Sequence, residues 1–325
     1  MAHAYLGMVP RIVLLTLLLL STVTEGSRHS NHHKHHKKTH GIDLSRGLAA
    51  VPVVLWHGMG DSCCNPLSMG AIKKLIEEKV SGIYVHSLEL GENIASDMER
   101  GFLGNMNEIV KVACDKIAAD PALEQGYNAV GFSQGGLFLR AVAQRCPSPP
   151  MKNLISIGGP QQGIFGFPYC TGPNLVCNTV RKLLDMGAYV SYVQNNAVQA
   201  QYWHDANDES LYREKSIFLA DINNEKTPPN PSYKKNLLAL KNLVLIKFTK
   251  DHMVVPKESE WFGYYKEGDD SIVLPMNETR LYKEDLIGIR KLSESGRLHF
   301  LEVEGEHLHI DGATFVREII QKYLQ

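Results

Sequence analysis

The segment Gly131-Phe132-Ser133-Gln134-Gly135-Gly136 sets a serine among glycines in a G-x-S-x-G pattern. Asn128 to Phe132 reads as a strand, and Gln134 to Gln144 as a helix with Leu137/Ala141 and Phe138/Val142 at i, i+4. A serine on such a strand-to-helix turn is held in a strained backbone conformation that lifts its hydroxyl clear of the sheet. Glycines on either side let strand and helix approach where a Cβ would collide. The chemistry this suits is attack on a carbonyl, with Ser133 as nucleophile. A capping serine in a plain turn would need the same residues, so the partners decide.

Attack needs donors for the oxyanion, and a base with its acid. His57-Gly58-Met59-Gly60 directly follows the apolar run Val51 to Trp56. In hydrolases with this elbow, one oxyanion amide comes from such a loop and the other from the residue after the nucleophile. That assigns the backbone N–H groups of Met59 and Gln134. The chain order Ser, then Asp or Glu, then His makes His307 the base, in Glu304-Gly305-Glu306-His307 after the last strand. His309 lies two residues on, and His299 falls inside the strand, where a packed side chain is the default. Two acids compete. Asp251 follows the strand Leu243 to Phe248, one sheet element before the histidine; Asp221 follows Ser216 to Ala220, which also looks strand-like. Asp251 has the better position.

The elements that must hold these residues alternate. After Val51 to Trp56 come a helix at Ser68 to Lys79, a strand at Ile83 to Leu88 and a long amphipathic helix over Met98 to Ala118. The strand Leu154 to Ile157 follows the elbow helix. Strand Leu298 to Val303 and helix Gly312 to Leu324 close the chain. This is the α/β class: a mostly parallel sheet with helices on both faces. Roughly 80 residues, about 160 to 241, interrupt the alternation with helical stretches at Thr179 to Tyr192 and Val198 to Trp203. The insertion is apolar enough to pack on the carboxyl edge of the sheet, where such folds take ligands. Its Ile164, Phe165, Phe167, Leu183, Leu184, Tyr202 and Trp203 are candidates for an apolar binding wall.

Composition narrows the class. The 325 residues are 44% hydrophobic and 21% charged, which excludes disorder and coiled coil. With 34 Lys+Arg against 35 Asp+Glu there is no basic footprint for nucleic acid. Residues 1–26 resemble a secretory signal, with Arg11 before the apolar run Ile12 to Leu20; the run is too short to span a membrane. Residues 27–50 form a His-rich flexible tail, and 51–325 the folded domain. An exported chain with six cysteines should be largely oxidised. Spacing favours Cys170–Cys177 as a loop closure and Cys114–Cys146 as a bridge between helices. Cys63 and Cys64 then either join each other or stay free. No zinc-type ligand spacing accompanies them, and no metal or organic cofactor is expected.

The strings WHGMGDSCCNPLSMGAIKK (Trp56 to Lys74), GYNAVGFSQGG (Gly126 to Gly136), RAVAQRCPSPPM (Arg140 to Met151) and SIFLADIN (Ser216 to Asn223) resemble the palmitoyl-protein thioesterase family. The likeness runs from about Val51 to the C-terminus. It implies an α/β-hydrolase of the lysosome that removes long-chain acyl groups from cysteine thiols of lipidated proteins. By position it also implies the triad Ser133, Asp251 and His307, the oxyanion amides of Met59 and Gln134, and the pairings Cys63–Cys64, Cys114–Cys146 and Cys170–Cys177. Family members are N-glycosylated at several sites; here Asn277-Glu278-Thr279 is the sequon. Two other functions use the same residues: a lipase or carboxylesterase cleaving oxygen esters, and a non-catalytic lipid-binding protein. A histidine base of ordinary pKa, near 6.5, would be mostly protonated in an acidic compartment, so an acid limb in the rate is expected.

Overall fold

The computed structural model describes residues 50–166 and 175–325, without the side chains of 175–177. The expected signal segment and His-rich tail, Phe167 and the expected Cys170–Cys177 pairing lie outside the described residues. The strands are β1 (Val53–Trp56), β2 (Val85–Ser87), β3 (Tyr127–Phe132), β4 (Met151–Ile157), β5 (Asn242–Phe248), β6 (Tyr264–Lys266), β7 (Asp269–Leu274) and β8 (Leu298–Val303). Six of them form one sheet in the order β2-β1-β3-β4-β5-β8, every pair parallel. All residues of β1 and β3 are buried, as a sheet covered on both faces requires.

The two-residue period of the strands sorts their side chains into two cores. Val53, Leu55, Val130, Ile155, Ile246 and Phe248 pack against helix α1 (Met69–Lys79) and the C-terminal helical segment, through Met69, Ile76, Phe315 and Ile319. Val54, Trp56, Ala129, Leu154 and Leu245 pack on the other face with α3 (Met106–Ala119) and α4 (Gln134–Arg145). Cys114 of α3 is bonded to Cys146, just past the end of α4, and Cys63 is bonded to Cys64.

The long helix expected over Met98 to Ala118 is two helices. α2 (Ile94–Arg100) ends at Gly101, and α3 starts after Asn105, whose side chain accepts the Asn107 N–H. Gly104 between them has φ +133°, a conformation that stops a helix. The break has a use: the Gly101 carbonyl, released from helix duty, accepts from the side chains of Gln134 at 2.9 Å and Gln199 at 3.0 Å.

The insertion also differs in detail. The helix expected over Thr179 to Tyr192 is Leu175–Asp185, stopped before Gly187 at φ +108°, followed by the separate Ser191–Asn196. Ser216 to Ala220 is not a strand but leads into the helical turn Leu219–Ile222, with Phe218 buried edge-on against Phe138 of α4. Short apolar runs carry no period that separates the two states. Arg140 of α4, fully buried, pins this region: it donates to Gln161 Oε1, Gln161 O, Asn223 Oδ1 and Ile222 O. Burial lowers its guanidinium to about 9, and these acceptors offset the desolvation. The β6–β7 hairpin was not legible, because β7 is largely exposed and carries no buried alternation.

Candidate active site

Ser133 sits between β3 and α4 at φ +52°, ψ −130°. Its N–H donates to Ile157 O at 2.8 Å and its carbonyl accepts from Gly136 at 2.9 Å, so the turn is clamped at both ends. The flanking glycines are required by contact. A Cβ on Gly131 would lie 2.5 Å from the carbonyl carbon of Gly135, and one on Gly135 would lie 2.4 Å from Trp56 O. Strain of this sort persists only where the surroundings over-determine it.

The loops after β5 and β8 bring the remaining groups to the serine. Oγ of Ser133 lies 2.9 Å from Nε2 of His307. Nδ1 of His307 makes a very short hydrogen bond to Oδ2 of Asp251. Oδ1 of Asp251 accepts the N–H groups of Met253 at 2.6 Å and Val254 at 3.0 Å. Burial alone would raise the Asp251 carboxyl, but its hydrogen bonds with His307 and Glu260 hold it down at about 2. The rival acid is elsewhere: Asp221 pairs with Arg145 at 2.6 Å and accepts from the Tyr233 hydroxyl. His299 is hydrogen-bonded to Asn242 on the neighbouring strand, and His309 is exposed.

The loop after β1 covers the serine. Gly58 is so close that a Cβ there would be 3.1 Å from Ser133 Cβ, and Met59 shares the cavity wall with Ser133. Gln134 is the first residue of α4, so its N–H has no acceptor within the helix. Its side chain is fixed by Gly101 O, Gln199 and the Tyr202 hydroxyl, the last at 3.0 Å. Beneath the loop, His57 approaches Asp97 at 3.3 Å, and Asp97 also accepts from the Cys63 and Leu90 N–H groups. Burial would raise the Asp97 carboxyl; the His57 contact and those amides hold it below the usual range instead. Asp97 escaped the sequence reading, because nothing local marks an acid whose partners, His57 and Cys63, are distant in the chain.

A cavity of about 340 Å³ opens on Ser133 and His307, walled by Met59, Met69, Ala71, Ile72, Met253 and Leu308 among others. None of the described insertion residues lines it. Ile164 and Tyr202 are in the main core, and Leu184 packs with Phe102, Val180 and Val193. Phe165 meets Trp203 edge-on at 5.4 Å. Leu183 and Trp203 are partly buried against that same cluster, as are Met59 and Leu103. An insertion must first build a core, and most of these side chains are consumed by that.

The model of the family described as palmitoyl protein thioesterase matches residues 52–307. The chain belongs to the palmitoyl-protein thioesterase family. Palmitoyl-protein thioesterase 1 of Caenorhabditis elegans is 64% identical over 273 residues, 84% of this chain and 91% of that one. Palmitoyl-protein thioesterase 3 of Dictyostelium discoideum is 39% identical over 259 residues, 80% and 86% of the two chains. The human lysosomal thioesterase PPT2 is 30% identical over 251 residues, 76% and 78%. The matched stretch of the family model contains Ser133, Asp251 and His307, and begins one residue before β1.

Proposed function

We propose that this chain hydrolyses palmitoyl thioesters on cysteines of lipidated proteins through an acyl-enzyme formed on Ser133. The observation that carries the mechanism is the 2.9 Å contact from Ser133 Oγ to His307 Nε2, with Asp251 behind the imidazole, in a chain of this family. His307 takes the serine proton as Oγ attacks the thioester carbonyl, and Asp251 holds the imidazole in register and stabilises its cation. The N–H groups of Met59 and Gln134 receive the oxyanion, each worth about 3 kcal/mol in such holes. The leaving thiolate, of pKa about 8.5, departs with little help. Water activated by His307 then frees the fatty acid. These steps need only the chain's own residues.

The acyl chain is assigned to the cavity beside Ser133, along Met59, Ala71 and Ile72, with Leu183 and Trp203 adjoining across Met59. Ala71→Phe should depress turnover of palmitoyl substrates relative to butyryl ones by at least about tenfold. An unchanged chain-length preference would move the acyl chain to the Leu183 and Trp203 side.

Residues 1–26 are read as a secretory signal, 27–50 as a His-rich tail and 51–325 as the catalytic domain with its insertion at about 160–241. The route leads to the lysosome, with exposed Asn277 as glycan acceptor. Among the described residues no helix is long and apolar enough to cross a membrane. The reading is tested by comparing a palmitoyl-thioester peptide with the matching serine oxygen ester. Faster thioester hydrolysis supports it. Dominant oxygen-ester cleavage would make the chain an esterase, and inertness on both would favour a lipid-binding protein.

A further inference from the structure

The relay does not account for Glu260, which is fully buried beside it. Its Oε2 accepts the Phe248 N–H at 2.9 Å, while Oε1 is equally buried and takes no donor among the described residues. One carboxyl oxygen each of Asp251 and Glu260 and a ring nitrogen of His307 all lie within 4.8 Å of one another. Two carboxylates at that range in a dry site need a cation or a shared proton. The cations at hand are committed elsewhere. Lys247 on β5 pairs with Glu302 on β8 at 2.9 Å and lies over the Trp261 ring, and Lys257 donates to Thr249 O. Glu258, on the same helical turn as Glu260, adds no positive charge. Asp251 already accepts from His307, Met253 and Val254, so a proton is better placed on Glu260.

We propose that Glu260 is a positioning residue that keeps its carboxyl proton and donates it from Oε1 in a hydrogen bond to Asp251, drawing negative charge away from His307. Burial, then the hydrogen bond and charge of Asp251, push the Glu260 carboxyl up to about 11, against the opposing Phe248 N–H and Lys247. The consequence concerns the base. With part of the Asp251 charge held by Glu260, less of it falls on the imidazole, so the pH response of the relay belongs to all three groups together. The inference rests on the proposed roles of Ser133, Asp251 and His307.

Its test is the pH dependence of Ser133 labelling by a fluorophosphonate, alongside kcat/KM on a palmitoyl-thioester peptide, for wild type, Glu260→Gln and Glu260→Leu. The Gln amide can still donate to Asp251 and accept from Phe248, so its acid limb should coincide with that of wild type. The Leu variant should shift the limb upward by about one pH unit, about tenfold in rate on its acidic side. A downward shift in Glu260→Gln would mean an ionised Glu260 and overturn the proposal, as would an unmoved limb in Glu260→Leu. If the Leu variant fails to fold, difference infrared spectroscopy decides. Wild type minus Glu260→Gln should contain a protonated carboxyl band at neutral pH, and a carboxylate band instead refutes it. Wild type that neither labels nor hydrolyses at any pH would sink the reading of the relay, while the infrared band still reports where the proton is.

Discussion

Ser133 occupies a positive-φ backbone conformation that a non-glycine residue adopts only under constraint, and the Ile157 and Gly136 hydrogen bonds supply that constraint. Its place on the turn between β3 and α4 was legible because the strand end, the serine and the glycines fall within six consecutive residues. His307 and Asp251 were legible by chain order, since each ends a loop at the carboxyl edge of a parallel strand. Glu260 was not. Its significance comes from a contact to Asp251 made across a turn, and from complete burial, neither of which has a local signature. A protonated Glu260 also leaves a mark on stability. Its folded pKa lies far above its unfolded one, so above about pH 4.5 folding takes up a proton and stability falls as pH rises. Glu260→Gln removes that uptake. Its stability in chemical denaturation relative to wild type should therefore rise between pH 5 and 7, by about 1.4 kcal/mol per pH unit at most. A constant difference across that window would contradict it.

The elements that carry the site are pressed together at glycines. At Gly135 a methyl group would meet the Trp56 carbonyl at 2.4 Å and that of His57 at 2.6 Å, both backbone atoms of β1 and its following loop. Neither can yield without moving the loop after β1. Gly135→Ala should therefore cost at least about 2 kcal/mol and lower activity together with stability, measured by urea unfolding and turnover on one preparation. Full stability with wild-type turnover would mean that helix and strand are looser than their contacts indicate. Strands and the elbow helix were readable because buried apolar runs and helical spacing are sequence-local. The break between α2 and α3 was overlooked: Gly101, Gly104 and Asn105 stand in the sequence, yet the apolar periodicity runs across them. That break matters to the site, because it is the freed Gly101 carbonyl that fixes Gln134.

Over the whole molecule, one parallel sheet gathers groups from residues 57 to 307 onto its carboxyl edge, and the insertion leans on the same edge through Tyr202 and Gln199. The class was legible from alternating elements. The internal economy of the insertion was not, since apolar side chains that serve its own core look in sequence like those that would line a binding wall. Membership of the thioesterase family and the Ser133–His307–Asp251 geometry converge on one chemistry, covalent catalysis by a single serine. The most direct measurement is palmitate release from an S-palmitoyl peptide by wild type and by Ser133→Ala, each verified as folded by circular dichroism. The expected result is steady release by wild type and a loss of at least about 10³-fold in the variant. Release at equal rates by the two proteins would contradict the assignment of Ser133, and with it the mechanism.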